Sequence, residues 1–481
     1  MLTILVLGAT GYIGGRLVPL LKERGHRVRC LVRDRKKAAG PGWEDVQLVE
    51  GDVLKPETLR GAFDEIDVVY YLVHSMTAGE KSFEERDRAA AQNVAQACAR
   101  TGVARIVYLG GLGKRGESQS PHLRSRHEVG DILRSGSVPV TEFRAAVVVG
   151  SGSASFEMMH HLVNRLPLMI CPRWVMIRTQ PIAVADVLRY LVECVDRPET
   201  SGRVLDIGGP QMLTYRDMML CTAKVLGLKR WVLPVPVLTP RLSSYWVNLV
   251  TPIPTSLARV LIESLRHETV CENRDADALF SFRPMAFEQA VRLAVEKVRT
   301  HEVETKWTSA SPPTDAKPDP SHLQTDRRVV EVLAPADRLF REVASIGGDR
   351  GWYYADWLWK VRGFLDKQIG GVGLRRGRRH PTKLRAGDAL DFWRVEEYEP
   401  GRRLLLRAEM KVWGAAWLEF AVEEVGADRS RLTQTATYYP RGLAGLLYWF
   451  GVYPLHAIVF RGLARSIAAR AEAARDSAVQ L

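Results

Sequence analysis

The sequence predicts an α/β chain: a doubly wound parallel sheet within residues 1–300, followed by a separate α+β domain with an antiparallel sheet over residues 327–481. Three observations carry this. Short apolar runs alternate with helical patterns up to about residue 150, and glycines punctuate the turn after the first run. Between Thr305 and Thr325 the composition then shifts to Pro, Ser, Thr and Asp, before alternating, Trp-rich segments begin. A length of 481 residues is roughly three times a common domain of about 150, which agrees with more than one domain. Residues 301–326 read as the linker.

The first-part runs are Thr3–Leu7, Val28–Val32, Val46–Val49, Val68–Val73, Arg105–Leu109 and Val140–Val149. Continuous apolar runs of this length suit strands covered on both faces. Between them Phe83–Arg100 is the clearest helix, with Ala and Val on one face and Glu, Arg and Gln on the other.

Thr3–Leu7 leads into Gly8-Ala9-Thr10-Gly11-Tyr12-Ile13-Gly14, and a helical pattern of Leu17, Val18, Leu20 and Leu21 follows. Glycines at a strand-to-helix turn let the backbone approach a pyrophosphate, and the helix N-terminus offers free N–H groups and positive potential. The spacing is GxxGxxG. Gly8, Thr10, Gly11, Tyr12, Ile13 and Gly14 are therefore candidate dinucleotide-binding residues. The second strand ends at Arg33, with Asp34 beside it and Arg35, Lys36 and Lys37 after it. An Arg there accommodates a ribose 2′-phosphate, where an acidic residue would take the free hydroxyls, so Arg33 favours NADP(H) over NAD(H). Asp52 and Val53 follow the third strand, where the Asp52 carboxylate either accepts from the adenine amine or caps the helix near Pro56. Leu72, near the end of the fourth run, completes the cofactor set.

The net charge is +13, which favours anionic partners: phosphate-bearing cofactors, anionic lipid headgroups or nucleic acid. No DNA- or RNA-binding module is present to support nucleic acid. Six widely spaced cysteines without a CxxC pair argue against a disulfide scaffold or zinc module and suit a reducing cytoplasm. No metal-ligating motif is found. His267-Glu268-Thr269-Val270-Cys271 lacks the second His of HExxH, and Gly150-Ser151-Gly152-Ser153 lacks the spacing of a nucleophile elbow, reading better as a loop closing over the nicotinamide.

The opening GATGYIG, the Gly51-Asp52-Val53 turn, Gln180–Val187 (QPIAVADV) and Arg203–Met219 (RVLDIGGPQMLTYRDMM) resemble the atypical short-chain dehydrogenase/reductase group. Within it the chain is similar to bacterial NAD(P)-binding proteins related to NmrA-like regulators and nucleoside-diphosphate-sugar epimerases. Tyr70–Met76 (YYLVHSM) and Ser120–Arg126 (SPHLRSR) match a subfamily with an extra C-terminal domain of unknown function. The resemblance covers about residues 1–300 closely and 327–481 at subfamily level. It implies a Rossmann fold and a nicotinamide cofactor.

Members of this group commonly use Tyr-x-x-x-Lys and a Ser at the end of the fifth strand for proton exchange as hydride moves. None of the fourteen tyrosines has a Lys four residues later. His122 and Arg126 stand where the Tyr and Lys are expected, and the fifth strand ends in Tyr108-Leu109-Gly110-Gly111 without a Ser. In one reading His122 is the proton donor, because an imidazole titrates near neutrality, and Arg126 holds the ribose or a substrate anion. In the other, the two residues only cap and decorate a helix beside a cofactor that is never turned over. His74, past the fourth strand, is a second catalytic candidate.

Beyond the linker, Val329–Leu333 reads as a strand and Trp352–Lys367 as an aromatic helix or lid. Strands follow at Ala389–Glu396, Arg403–Lys411, Trp417–Glu424 and Leu432–Tyr439, and the basic helix Arg461–Arg475 closes the chain. This order is similar to the helix-grip arrangement of START-like and Bet v 1-like domains, which bind lipids or polyketides. Trp357, Trp359, Trp393, Trp413 and Trp417 either line a cavity for a hydrophobic ligand or fill an aromatic core. Gly442–Phe460 carries no formal charge over 19 residues, the lower limit for a span, and Pro454, His456 and two glycines favour a buried or membrane-facing amphipathic helix. Nine Lys/Arg against one acid within 360–385, together with glycines, read as a mobile basic loop that either meets anionic phospholipid or is simply solvated.

These readings combine into an oxidoreductase acting on a small hydrophobic, lipid- or quinone-like substrate, cytoplasmic and peripheral to the inner face of the membrane. The alternative is a non-catalytic NADPH sensor or scaffold. A nucleotide-sugar epimerase fits less well, because its base would be the missing Tyr. The oligomeric state is left open.

Overall fold

The computed structural model describes residues 1–481 except 36–37, 39–41, 75–82, 115, 117–119, 236–246, 248–250, 252, 254, 301, 306–322, 369–370, 375–376, 427, 441 and 480–481. Outside the described residues lie Lys36, Lys37, Ser75, Met76, most of the apolar region 231–255, most of the expected linker, and Arg375 and Arg376 of the basic run. The chain divides into two compact units, Met1–Ala310 and Ser311–Leu481.

The first unit is built on β1 (Thr3–Leu7), β2 (Arg27–Val32), β3 (Gln47–Glu50), β4 (Val68–Tyr71), β5 (Arg105–Gly111) and β6 (Val140–Ala145). A seventh strand, Val204–Ile207, joins beside β6. All pair in parallel, in the order 204–207, β6, β5, β4, β1, β2, β3. Alternate residues of β1 serve opposite layers. Ile4 and Val6 pack with Leu17, Val18 and Leu21 of helix α1 (Gly14–Glu23) and with Val187 and Leu191 of the helix Val184–Glu193. Leu5 and Leu7 pack with Ala90, Ala91 and Val94 of α2 (Phe83–Thr101) and with Val129 and Leu133 of α3 (Pro121–Arg134). Burial on both faces is why the central strands β1 and β4 are almost wholly apolar. The chain winds to one side of β1 through β2 and β3, then crosses to β4 on the other. The β1/β4 boundary is thus the topological switch point, where open α/β sheets bind ligands beyond the strands' carboxyl ends.

The second unit holds a six-stranded antiparallel sheet, ordered 324–332, 429–440, 414–426, 403–408, 393–399, 389–390. The strand Gln324–Val332 begins inside the segment expected as linker. The apolar segment and the basic helix expected as two pieces form one helix, Gly442–Val479, with Pro454 inside it. Its Phe460, Leu463, Ile467 and Ala471 enter the core against the sheet residues Leu404, Leu418 and Leu432.

Two expectations for this unit need correcting. Trp357 and Trp413 do not line an interior: their rings are 65% and 60% exposed. Trp359 and Trp393 are buried and, with Trp352 and Phe392, form a packed ring cluster with centroids 5.4–6.2 Å apart, which agrees with the filled aromatic core. Nor is the basic run 360–385 free along its length: Lys360 and Lys383 are exposed, but Arg378 and Arg379 are engaged within the fold. Arg378 donates to Ile346 O at 2.6 Å and Ala344 O at 2.8 Å, and burial brings its guanidinium down to about 10. Arg379 meets Asp388 through three bonds of 3.0–3.2 Å, with both residues buried. Asp388→Ala leaves that guanidinium buried without its counter-charge, so we expect a loss of about 3–5 kcal/mol, read as a lowered urea midpoint. An unchanged midpoint would mean the pair is solvated.

Candidate active site

At the switch point the glycines are required sterically. Gly8 has φ +83°, and a Cβ there would lie 2.7 Å from Leu72 O; at Gly14 it would lie 2.3 Å from Gly8 O. Gly11 N–H donates to Gly8 O at 3.0 Å, closing the turn. No side chain caps the first turn of α1 at Ile13, so its N-terminus keeps the N–H groups and positive potential that suit a pyrophosphate. Tyr12 lies against the Gly150 loop, and burial raises its phenol to about 12. The buried Arg16 stacks over the Tyr12 ring at 4.2 Å and donates to Ser151 O at 2.8 Å and to Thr305 Oγ1 at 2.5 Å. Thr305, on the margin of the expected linker, donates to Tyr12 O at 2.8 Å.

Arg33 is exposed at the end of β2. Asp52 Oδ1 accepts Leu54 N–H at 3.0 Å, which shapes the turn before the 3₁₀ segment Pro56–Leu59. Val53 O accepts from the Asn93 amide at 2.9 Å. Asn93 was not singled out in the sequence, because one Asn in a helix carries no pattern. Ser153 caps the helix Ala154–Arg165 by accepting Phe156 N–H at 3.2 Å, so the 150–153 loop is packed around Tyr12 and presents no nucleophile.

The two histidines singled out separately are in contact. His74 Nε2 and His122 Nε2 lie 3.0 Å apart. His74 Nδ1 faces Asp87 Oδ2 at 3.6 Å, and the Ser125 hydroxyl donates to that same oxygen at 3.0 Å. On the other side, Ser264 Oγ stands 3.4 Å from His122 Nδ1, with Ser120 Oγ 3.3 Å further on. α3 positions His122 because Ser120 caps it, accepting Leu123 N–H at 3.3 Å, with Pro121 in its first turn. Ser264 comes from the end of the helix Thr255–Ser264. Asp87 is 1% exposed and shares the buried face of α2 with Ala90, Ala91, Val94 and Cys98. A carboxylate at i in an apolar stripe of i+3, i+4, i+7 and i+11 is a legible signal that was passed over. Ser264 carried none.

Arg126 is buried, donates to Leu109 O and Val73 O, and lies 4.9 Å from the Tyr108 ring centroid. It ties the ends of β4 and β5 together. Burial, the facing His74 and the Arg126 charge hold His122 far below the usual imidazole range, and Asp87 pulls the other way. Burial also lowers His74, with the Asp87 carboxylate opposing it. At neutral pH both rings are therefore uncharged. Where His74 carries its proton on Nδ1, toward an ionised Asp87, its Nε2 accepts from His122 Nε2–H. The Nδ1 lone pair of His122 then faces Ser264, leaving a base at that atom.

Residues 8–142 match a family described as NAD(P)H-binding. The first unit is a Rossmann-like NAD(P)H-binding domain. Residues 320–463 match a second family, described as a protein of unknown function, DUF2867, so the Rossmann domain is joined to a domain whose role that description leaves open. Against the photosystem II assembly factor Ycf39 of Cyanophora paradoxa, the chain is 23% identical over 242 residues, 49% of this chain and 72% of that protein. Against the ceramide reductase of Caulobacter vibrioides it is 26% identical over 239 residues, 48% of this chain and 73% of that one. Among solved structures, the triphenylmethane reductase of Citrobacter sp. superposes with a TM-score of 0.52 at 18% identity, covering 61% of this chain and 99% of that one. That likeness concerns the Rossmann fold alone. No helix among the described residues is long and apolar enough to cross a membrane.

Proposed function

We propose that the protein is an NADP(H)-dependent oxidoreductase acting on a hydrophobic, lipid- or quinone-like substrate, in which His122 exchanges the proton that accompanies hydride transfer. The observation that carries this is the contact chain Asp87–His74–His122–Ser264, placed beyond the carboxyl ends of β4 and β5. The cradle of Gly8, Gly11 and Gly14 fits a dinucleotide, since the space a Cβ would fill is closed by backbone. Held there, the cofactor supplies or takes a hydride at a substrate carbon. His122 takes the proton of the substrate oxygen at Nδ1 and passes its own Nε2 proton to His74, so the positive charge comes to rest beside Asp87. The same chain run backwards donates a proton. Similarity to a protein named ceramide reductase and the apolar composition support the substrate class, and Arg33 supports the 2′-phosphate.

The test is to follow NADPH fluorescence with purified protein and a total lipid and quinone extract. Tight binding with extract-dependent oxidation is the expected result. Binding without oxidation under any extract would transfer the protein to the sensor class, and failure to bind either dinucleotide would overturn both. Asp87→Asn provides a second check. Because Asp87 raises the proton affinity of His74, its neutralisation should move the acid limb of kcat/KM for substrate oxidation to lower pH and reduce the plateau. The unaltered protein should itself keep its base form below the usual imidazole value of about 6.5. A limb unmoved by Asp87→Asn would detach His74 from the relay.

A further inference from the structure

The second unit presents two apolar helix faces to the outside. On Asp356–Gln368, Trp359, Gly363, Asp366 and Lys367 point inward, while Trp357, Val361, Phe364 and Leu365 are exposed at i, i+4, i+7 and i+8. On Gly442–Val479, Trp449, Val459, Phe460 and Leu463 are buried, while Leu447, Phe450, Leu455 and Ile458 are exposed, Phe450 by 66%. The two helices are neighbours: Trp359 and Phe460 lie 5.9 Å apart, and Arg362 lies over the Tyr448 ring at 5.4 Å. Trp413, 5.7 Å from Tyr448, continues the same surface. Apolar exposure this concentrated marks an interaction surface rather than ordinary solvated residues.

The surrounding charge indicates what covers it. Lys360, Lys411, Arg461 and Arg465 are exposed on these two helices and the adjoining loop, and Arg362 is half-buried among them. Asp356 is the exposed acid on the same described segments, Asp366 being buried under Gly373 N–H and Lys411 N–H. Exposed Trp357, Trp413 and Tyr453 have rings with one apolar and one polar end, which suits the headgroup boundary. We propose that this face of the second unit seats on the surface of an anionic lipid bilayer. Leu447, Phe450, Leu455, Ile458, Phe364 and Trp357 enter the acyl boundary, and the lysines and arginines meet lipid phosphate.

The experiment floats the full chain with vesicles of phosphatidylglycerol and phosphatidylcholine, and with phosphatidylcholine alone, at low and high salt. Binding to the anionic vesicles that weakens with salt, and falls at least tenfold in the double variant Leu447→Asp/Phe450→Asp, is the expected result. A second variant, Lys360→Glu/Arg461→Glu, keeps the apolar face and should reduce binding to anionic vesicles selectively. Near-ultraviolet circular dichroism of the buried Trp352, Trp359 and Trp393 cluster reports that the second unit of each variant is folded. Equal flotation of variants and unaltered protein would overturn the proposal. So would absence of vesicle binding, or a dimer in solution that Leu447→Asp/Phe450→Asp splits, which would give the face to a second copy of the chain.

Discussion

Replacing His122 by Phe should lower turnover by a factor of about 10² to 10⁴ while NADPH affinity stays within about twofold of the unaltered protein. The ring volume is kept, and His122 is already uncharged, so no charge is removed. What disappears is the pair of ring nitrogens that joins Ser264 Oγ to His74 Nε2. Ser264 lies too far along the chain of contacts to reach His74 by itself, and Arg126, permanently protonated, cannot accept the proton. The rate constant of single-turnover NADPH oxidation and a fluorescence titration check the two halves separately. An unchanged rate would remove His122 from the chemistry and leave the relay as packing.

Gly8→Ala should be equally damaging by a different route. The left-handed φ of +83° costs an L-residue about 1–2 kcal/mol, and the new Cβ meets Leu72 O and C at 2.7 and 2.8 Å. These are backbone atoms of the segment leaving β4, so relief requires the ends of β1 and β4 to separate where the pyrophosphate would lie. NADPH affinity is expected to fall by at least about 100-fold, a loss of roughly 2.7 kcal/mol or more, with a lowered urea midpoint. Gly102→Ala is the control, because it carries the same kind of strain, φ +72°, with nothing within 4 Å of the new Cβ and no part in the turn. Equal affinities for all three proteins would place the dinucleotide elsewhere.

The sheet of the first unit was legible because parallel strands covered on both faces are predominantly apolar, and the six runs identified are strands within a residue or two, except that the last breaks after Ala145. The phosphate turn was legible because only glycine satisfies its geometry. His122 was found by its place relative to the missing Tyr, whereas its coupling to His74 needed the fold. Forty-eight residues separate the two, and 142 separate His122 from Ser264. Charge in the second unit misled for the same reason. A run of arginines looks solvated in a list, and only the return of the chain shows Arg379 closed onto Asp388 nine residues later. The tryptophans were legible as an aromatic domain but not by orientation, since Trp357 and Trp359 are two positions apart on one helix and face opposite ways.

The clamp formed by Arg16, Tyr12 and Thr305 bears on where this chain can be divided. A dissection that stops at Thr300, the natural place suggested by the end of the helix Phe287–Arg299, would remove both Glu304, 3.1 Å from Arg16, and the Thr305 hydroxyl. The guanidinium would then sit beside the phosphate turn with its counter-charge gone, adding positive field to the dinucleotide site while loosening the turn that shapes it. An isolated dinucleotide domain would therefore report altered cofactor behaviour that belongs to the cut and not to the domain. The stretch 302–305 is better regarded as the last strap of the first unit than as the beginning of a tether.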